Sequence, residues 1–203
     1  MRFVRTPATR SERKRLLSTL SMPPEHAAPA LLGALLVRKT GGRVIVARIV
    51  ETEAYLGQND PAAHAFKGRT PRTDPLWGPP GTWYVYFIYG MHHCLNITVE
   101  PEGRPGCVLI RAAEIFKESP DRGRGPGRLT RALKVNRTLS GIRAFDRDCG
   151  LWLREGRAPE NVSVSPRIGI RHATEKALRF FEAGSRSVSS PRPPQALEAR
   201  GCV

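Results

Sequence analysis

No apolar run in these 203 residues approaches the roughly 20 needed to cross a bilayer. The N-terminal stretch MRFVRTPATRSERKRLLSTL is basic, but it has no continuous apolar centre and no small-residue cleavage site, so it reads as no signal peptide. Cysteine is sparse. Cys94, Cys107, Cys149 and Cys202 stand apart with no CxxC pair, which argues against a disulfide frame or a zinc knuckle and for free thiols in a reducing cytoplasm. There are no internal repeats. Acids are few: 18 Asp+Glu against 33 Lys+Arg give a formal charge of +15. A GC-rich coding sequence accounts for much of the arginine but not for the missing acids. Tyrosine is sparse too, with four residues.

What is present suits one domain. The length is enough to bury a core, and 40% apolar with 25% charged residues is a soluble, globular composition. A compact basic domain attracts polyanions, nucleic acid first. MPPEHAAPALLGALLVRK reads as a short helix running into a strand after Gly33, and Thr40 to Gly42 as a hairpin turn. RVIVARIVETEAY is a long β-branched strand. A loop follows, in which Asp60 and Pro61 open one helical turn. TWYVYFIY is a strand, GMHH a tight connection and CLNITVE the returning strand. GCVLIRAAEI is a further strand, GPGRLTRALKV a helix, and weaker strands lie around Trp152, Ile168 and Phe180. The expectation is α+β: a single domain over 1–185, with a curved antiparallel sheet, peripheral helices and a protruding β-hairpin. Residues 1–20 read as a basic arm or helix and 186–203 as a disordered tail.

Strand parity then locates the chemistry. Residues two apart share a face, so Ile45, Ala47 and Ile49 predict a common face with Glu51, Glu53 and Tyr55. Acids on the core side of a strand are costly unless exposed, paired or used. A structural ion pair with arginine is the plainer reading of either acid alone; the ring beside them weakens it. Three tyrosines, Tyr84, Tyr86 and Tyr89, fall within GTWYVYFIYGMHHCLN. Tyr84 and Tyr86 share a face, and Tyr89 sits at the hairpin tip, folded back on the sheet or free to act as a wedge between base pairs. Together these suggest a slot with Tyr55 and Tyr86 as walls, Glu53 at the floor and Tyr89 as wedge. Such a slot suits an enzyme that extrudes a base and grips it by stacking, and aromatic faces favour a cationic base.

The sequence resembles the alkyladenine (3-methylpurine) DNA glycosylase family. The resemblance runs from about Leu31 to Phe181 and rests on RIVETEAYLG, AAH, TPRT, PGTWYVYFIYGMHHCLNI, CVLIRAAE, GPGRLTRAL and RIGI, in that order. It implies that Glu53 activates the attacking water, that Arg111 helps hold it, and that the Ile168 carbonyl is its third ligand. It implies that Tyr55, His64 and Tyr86 pack around the flipped base, that Asn96 crowds guanine's exocyclic amino group, and that Tyr89 fills the vacated duplex. Leu76-Trp77 stand where many relatives have Met-Phe, and His92-His93 follow Met91 where the family varies.

The expected reaction is hydrolysis of the bond between a damaged purine and deoxyribose in double-stranded DNA, leaving an abasic site without strand cleavage. Expected DNA contacts are Thr70, Arg72, Met91, His92, Arg124, Arg128 and Arg171, with glycines of GRGPGR letting backbone amides approach phosphate. No cofactor and no metal are expected: adjacent His92 and His93 point to opposite faces, and the HxE and PCxxC of a zinc deaminase are absent. A monomer without membrane association, in the cytoplasm with the nucleoid, completes the expectation. A non-catalytic damaged-DNA or RNA binding module is the alternative, and a nucleosidase for small substrates is a third reading, opposed by the +15 charge.

Overall fold

The computed structural model describes residues 8–88 and 90–189. Tyr89, the expected wedge, lies outside the described residues, as do 1–7 and 190–203. Helix α1 (Arg10–Leu20) opens where the Thr9 hydroxyl accepts the Glu12 amide at 3.1 Å. Its positions 12, 16 and 20 stack on one face at four-residue spacing, and all three are buried. The expected N-terminal arm is therefore helical from Arg10. Helix α2 (Pro24–Ala30) begins on proline at its first position, where no amide partner is lost.

Strands β1 (Leu35–Thr40) and β2 (Arg43–Tyr55) form the expected hairpin. Gly41 and Gly42 take φ of 54° and 73°, the left-handed pair that a tight two-residue turn requires. The remaining strands are β3 (Trp83–Ile88), β4 (His92–Thr98), β5 (Cys107–Ile115), β6 (Leu151–Arg154), β7 (Val162–Ser165) and β8 (Arg179–Glu182). Their order is β3-β4-β5-β2-β1-β6, every pairing antiparallel. β8 pairs with the far half of β2 and carries β7 with it. Helix α3 (Pro126–Ala132) completes an α+β fold. The core packs Leu36, Ile49, Trp83, Leu95 and Ile110 of the sheet against Leu20, Leu31 and Leu129 of the three helical segments. Among the described residues no helix is long and apolar enough to cross a membrane.

Four expectations are corrected. There is no strand at Ile168: β7 ends at Ser165, and Pro166, which has no amide to donate, stops the ladder. The returning strand starts at His92 rather than Cys94, because His92 and His93 pair with Ile88 and Phe87. Asp60 opens a hydrogen-bonded turn, with the Ala63 amide on its carbonyl at 2.8 Å, and not a helix. The fold also runs past the expected tail boundary at 186: Ser187, Val188 and Ser189 are buried, held by contacts to distant strands.

Candidate active site

A bulge aims the site. Pairing between β2 and β5 shifts between Ile49 and Glu51 and back between Glu51 and Thr52, leaving Val50 and Arg111 without an opposite residue. Bulges re-aim side chains in this way. Ala47, Ile49 and Ala54 all join the main core, so an odd face becomes an even one across the bulge. The parity expected from sequence is thereby corrected. Glu51, Glu53 and Tyr55 do not share the face of Ala47 and Ile49. They lie on the opposite side, together with Arg111, which approaches Glu51 at 3.3 Å and Glu53 at 3.4 Å.

On that side is a cavity of about 520 Å³. Tyr55, His64, Tyr86, Asn96 and Arg111 all line it, and so do Ile168, His92 and Arg171. The His64 ring stands edge-on to Tyr86 at 4.5 Å between centroids, and its Nδ1 is 2.9 Å from the Tyr84 hydroxyl. Loss of water contact, then the charge of Arg72, push His64 down to about 4, so the ring is neutral at physiological pH. Burial pushes the Tyr84 hydroxyl up to about 12, and it raises Tyr55 and Tyr86 well above their ordinary value. The aromatic part of the wall is uncharged. Asn96 is buried, and its Nδ2 donates to the Tyr84 carbonyl at 3.1 Å, which fixes the side chain in place. Tyr84 was not expected as a site residue. Its parity with Tyr86 was the available signal.

Glu53 sits just behind this lining, with no exposed surface. Its Oε2 accepts the Tyr55 hydroxyl at 3.0 Å, and its Oε1 accepts the Ile168 amide at 2.9 Å. Burial raises its pKa, and the charge of Arg111, the Ile168 amide and the Tyr55 hydroxyl offset only part of that. The Ile168 carbonyl is the expected water ligand; here the amide of the same residue bonds Glu53 directly. A second buried pair supports this arrangement. Arg167 Nη2 donates to Asp60 Oδ1 at 2.9 Å, Nη1 bonds both Asp60 and the Ala54 carbonyl, and the guanidinium lies 4.7 Å from the centre of the Tyr55 ring. Arg167 so backs the Tyr55 wall and anchors the residue before Ile168. Nothing in the sequence pairs positions 107 apart, and this support was missed.

The remaining expected contacts differ in exposure. Thr70, Arg72, Met91, Arg128 and Arg171 are exposed, and Arg72 lies 5.7 Å from the centre of the Tyr86 ring. Met91 is 68% exposed. His92 is half-buried against Gly127, where an added Cβ would come within 2.9 Å of the imidazole. Arg124 is committed internally, to Asp121 at 3.0 Å and the Val188 carbonyl at 3.2 Å. Among the described residues no three His, Cys, Asp or Glu side chains gather as a metal site would require.

The model of the methylpurine-DNA glycosylase family matches residues 18–186. The chain belongs to that family. Among curated proteins, one from Myxococcus xanthus is 45% identical over 184 residues, covering 87% of this chain and 94% of its own. One from Chlorobium phaeovibrioides is 42% identical, covering 85% and 94%, and one from Methanocella arvoryzae is 40% identical, covering 84% and 93%. Each carries the name "Putative 3-methyladenine DNA glycosylase". The span matched to the methylpurine-DNA glycosylase family contains the whole lining of the cavity, Glu53 and Arg111.

Proposed function

We propose that this chain is a monofunctional DNA glycosylase that flips an alkylated or deaminated purine out of duplex DNA and hydrolyses its N-glycosidic bond. The observation that carries the proposal is a wholly buried, incompletely neutralised carboxylate, Glu53, directly behind a cavity walled by the uncharged rings of Tyr55, His64, Tyr84 and Tyr86. A cavity of about 520 Å³ is ample for a purine. Tyr55, His64 and Tyr86 would hold the base by stacking, and Asn96 would crowd a guanine amino group. Flipping a base costs a few kcal/mol of stacking and pairing, and the exposed cations at the rim supply phosphate contacts that offset it.

The chemistry follows from charge. As the bond breaks, the sugar gains oxocarbenium character and the base leaves with the bonding electrons. An alkylated purine is already cationic and leaves as a neutral molecule without an acid. Water adds its oxygen to C1′ and gives its proton to Glu53, whose negative charge also stabilises the sugar. Arg111 orients the water, with the Ile168 carbonyl as a further ligand. The products are the free base and an abasic site, and no amine nucleophile is used, so the strand stays intact. Tyr89 as the plug of the vacated stack rests on the family resemblance.

The test is incubation with duplexes carrying single defined lesions, scored for free base and for abasic sites, with Glu53→Gln beside the wild type. Base release by the wild type and none by the variant is expected. Binding of lesion DNA without release by either protein would instead favour a damage-binding module. A borohydride-trapped adduct would overturn the strand-sparing mechanism.

A further inference from the structure

Glu51 is the first acid of VETEAY, and the mechanism above leaves it unused. It is fully buried and fully engaged. Its Oε1 accepts Arg179 Nε at 2.5 Å and the Ser189 hydroxyl at 2.9 Å, and lies 3.3 Å from Arg111 Nε. Its Oε2 accepts the Ser189 amide at 2.7 Å. The Ser189 hydroxyl in turn accepts from Arg111 Nε at 3.0 Å. Arg179 is fixed from its other side by the Ser165 hydroxyl at 3.0 Å and the Ser189 carbonyl at 3.2 Å. The Nε edge of Arg111 is therefore tied to Glu51 and Ser189, and only Nη1 reaches toward Glu53, at 3.4 Å.

A guanidinium beside a carboxylate prefers the two-pronged pairing. The described residues include it in Arg154 with Glu12, in Arg167 with Asp60 and, at the surface, in Arg15 with Glu155. Arg111 does not make it with Glu53. We propose that Glu51 and Ser189 are positioning residues that hold the Nε edge of Arg111 and so keep it from closing on Glu53 as a two-pronged pair. One prong at long range can still orient water. Two would add a charged donor to both Glu53 oxygens, beside the Ile168 amide and the Tyr55 hydroxyl, and stabilise its charge so well that it would accept a proton poorly. This rests on the reading of Glu53 as the base.

The other groups around Glu53 are fixed by different elements. They are Tyr55 and Glu51 on β2, Cys94 on β4, Arg167 and the Ile168 amide after β7, and Arg179 on β8. Loss of Glu51 removes a neighbouring negative charge and releases Arg111 toward Glu53. Both changes favour ionised Glu53, so the acid limb of the rate profile moves to lower pH.

The experiment is single-turnover base release against pH, with one lesion in duplex DNA, for wild type, Glu51→Gln, Ser189→Ala and Glu53→Gln, together with melting and lesion-DNA affinity. Ser189→Ala keeps the backbone amide on Glu51 and loses only the hydroxyl bridge, so it reports even where Glu51→Gln melts out. The neutral-pH rate should fall roughly tenfold for Glu51→Gln and a few-fold for Ser189→Ala. In both the acid limb should shift to lower pH, with affinity unchanged. A lowered rate with the acid limb in place would make these residues merely structural and overturn the proposal, as would wild-type rates in both. Wild-type release by Glu53→Gln would instead sink the reading of Glu53 itself.

Discussion

Glu12 and Glu53 are both buried, and both face an arginine, yet the two regions treat their acids in opposite ways. Under α1, Arg154 grips Glu12 with Nε at 2.6 Å and Nη2 at 3.0 Å, and the Glu155 amide adds a bond at 3.0 Å. Burial alone would raise the Glu12 pKa, but these partners outweigh it and the carboxyl ends below its ordinary range. Asp60 behaves likewise in the grip of Arg167. Behind the cavity, Arg111 gives Glu53 one prong at 3.4 Å, and burial wins. A fully paired acid fastens the fold. An under-paired and more deeply buried one is available for proton transfer, and both arginine geometry and depth of burial separate the two.

The largest effect expected is on activity. Glu53→Gln should lower single-turnover base release by roughly 10³-fold, the scale of a lost general base. Its melting temperature should not fall, because the amide relieves a buried charge and Arg111 keeps Glu51. Glu12→Gln should show the reverse. Removing one end of a buried pair costs about 3 kcal/mol of stability, while base release per folded molecule stays at the wild-type level. Denaturant unfolding and single-turnover assays on both variants would show the crossed pattern, and parallel losses would break the comparison.

Acid should separate the two regions as well. The folded-state values of Glu12 and Asp60 are lowered, so their stabilisation is fully present above the ordinary carboxylate range and is lost as pH falls through the lowered values. Glu53 is raised, so its proton-accepting form disappears at higher pH. Base release should therefore fail before the fold does, which rate and circular dichroism measured over one pH series would reveal. The smallest effect expected is at His64. Since it sits near 4, it should add no step to the rate between about pH 5 and pH 8. His64→Phe, which keeps a ring and loses the bond to Tyr84, should cost about 1 kcal/mol in lesion binding.

Much of this was legible in the sequence where the signal is local. The β1–β2 hairpin follows from Gly41-Gly42 between β-branched runs, and the family resemblance singles out Tyr55, His64, Tyr86 and Asn96, which line one cavity. Parity failed at Val50, because a bulge depends on the partner strand and leaves no mark in alternation. The Glu12–Arg154 and Asp60–Arg167 pairs join residues 142 and 107 apart, which no local pattern reports. The stretch before position 190 looked like the start of a polar tail, yet Ser187 to Ser189 are buried because Glu51, Arg111 and Arg179 supply their partners.

The most direct measurement is the titration of individual glutamate carboxyls by NMR in the ¹³C-labelled protein, with Glu53→Gln and Glu12→Gln used to assign the two signals. The account predicts that Glu53 titrates above 4.5 and Glu12 below it. Glu53 titrating below 4.5, alongside Glu12, would show Arg111 already closed upon it and would contradict the account.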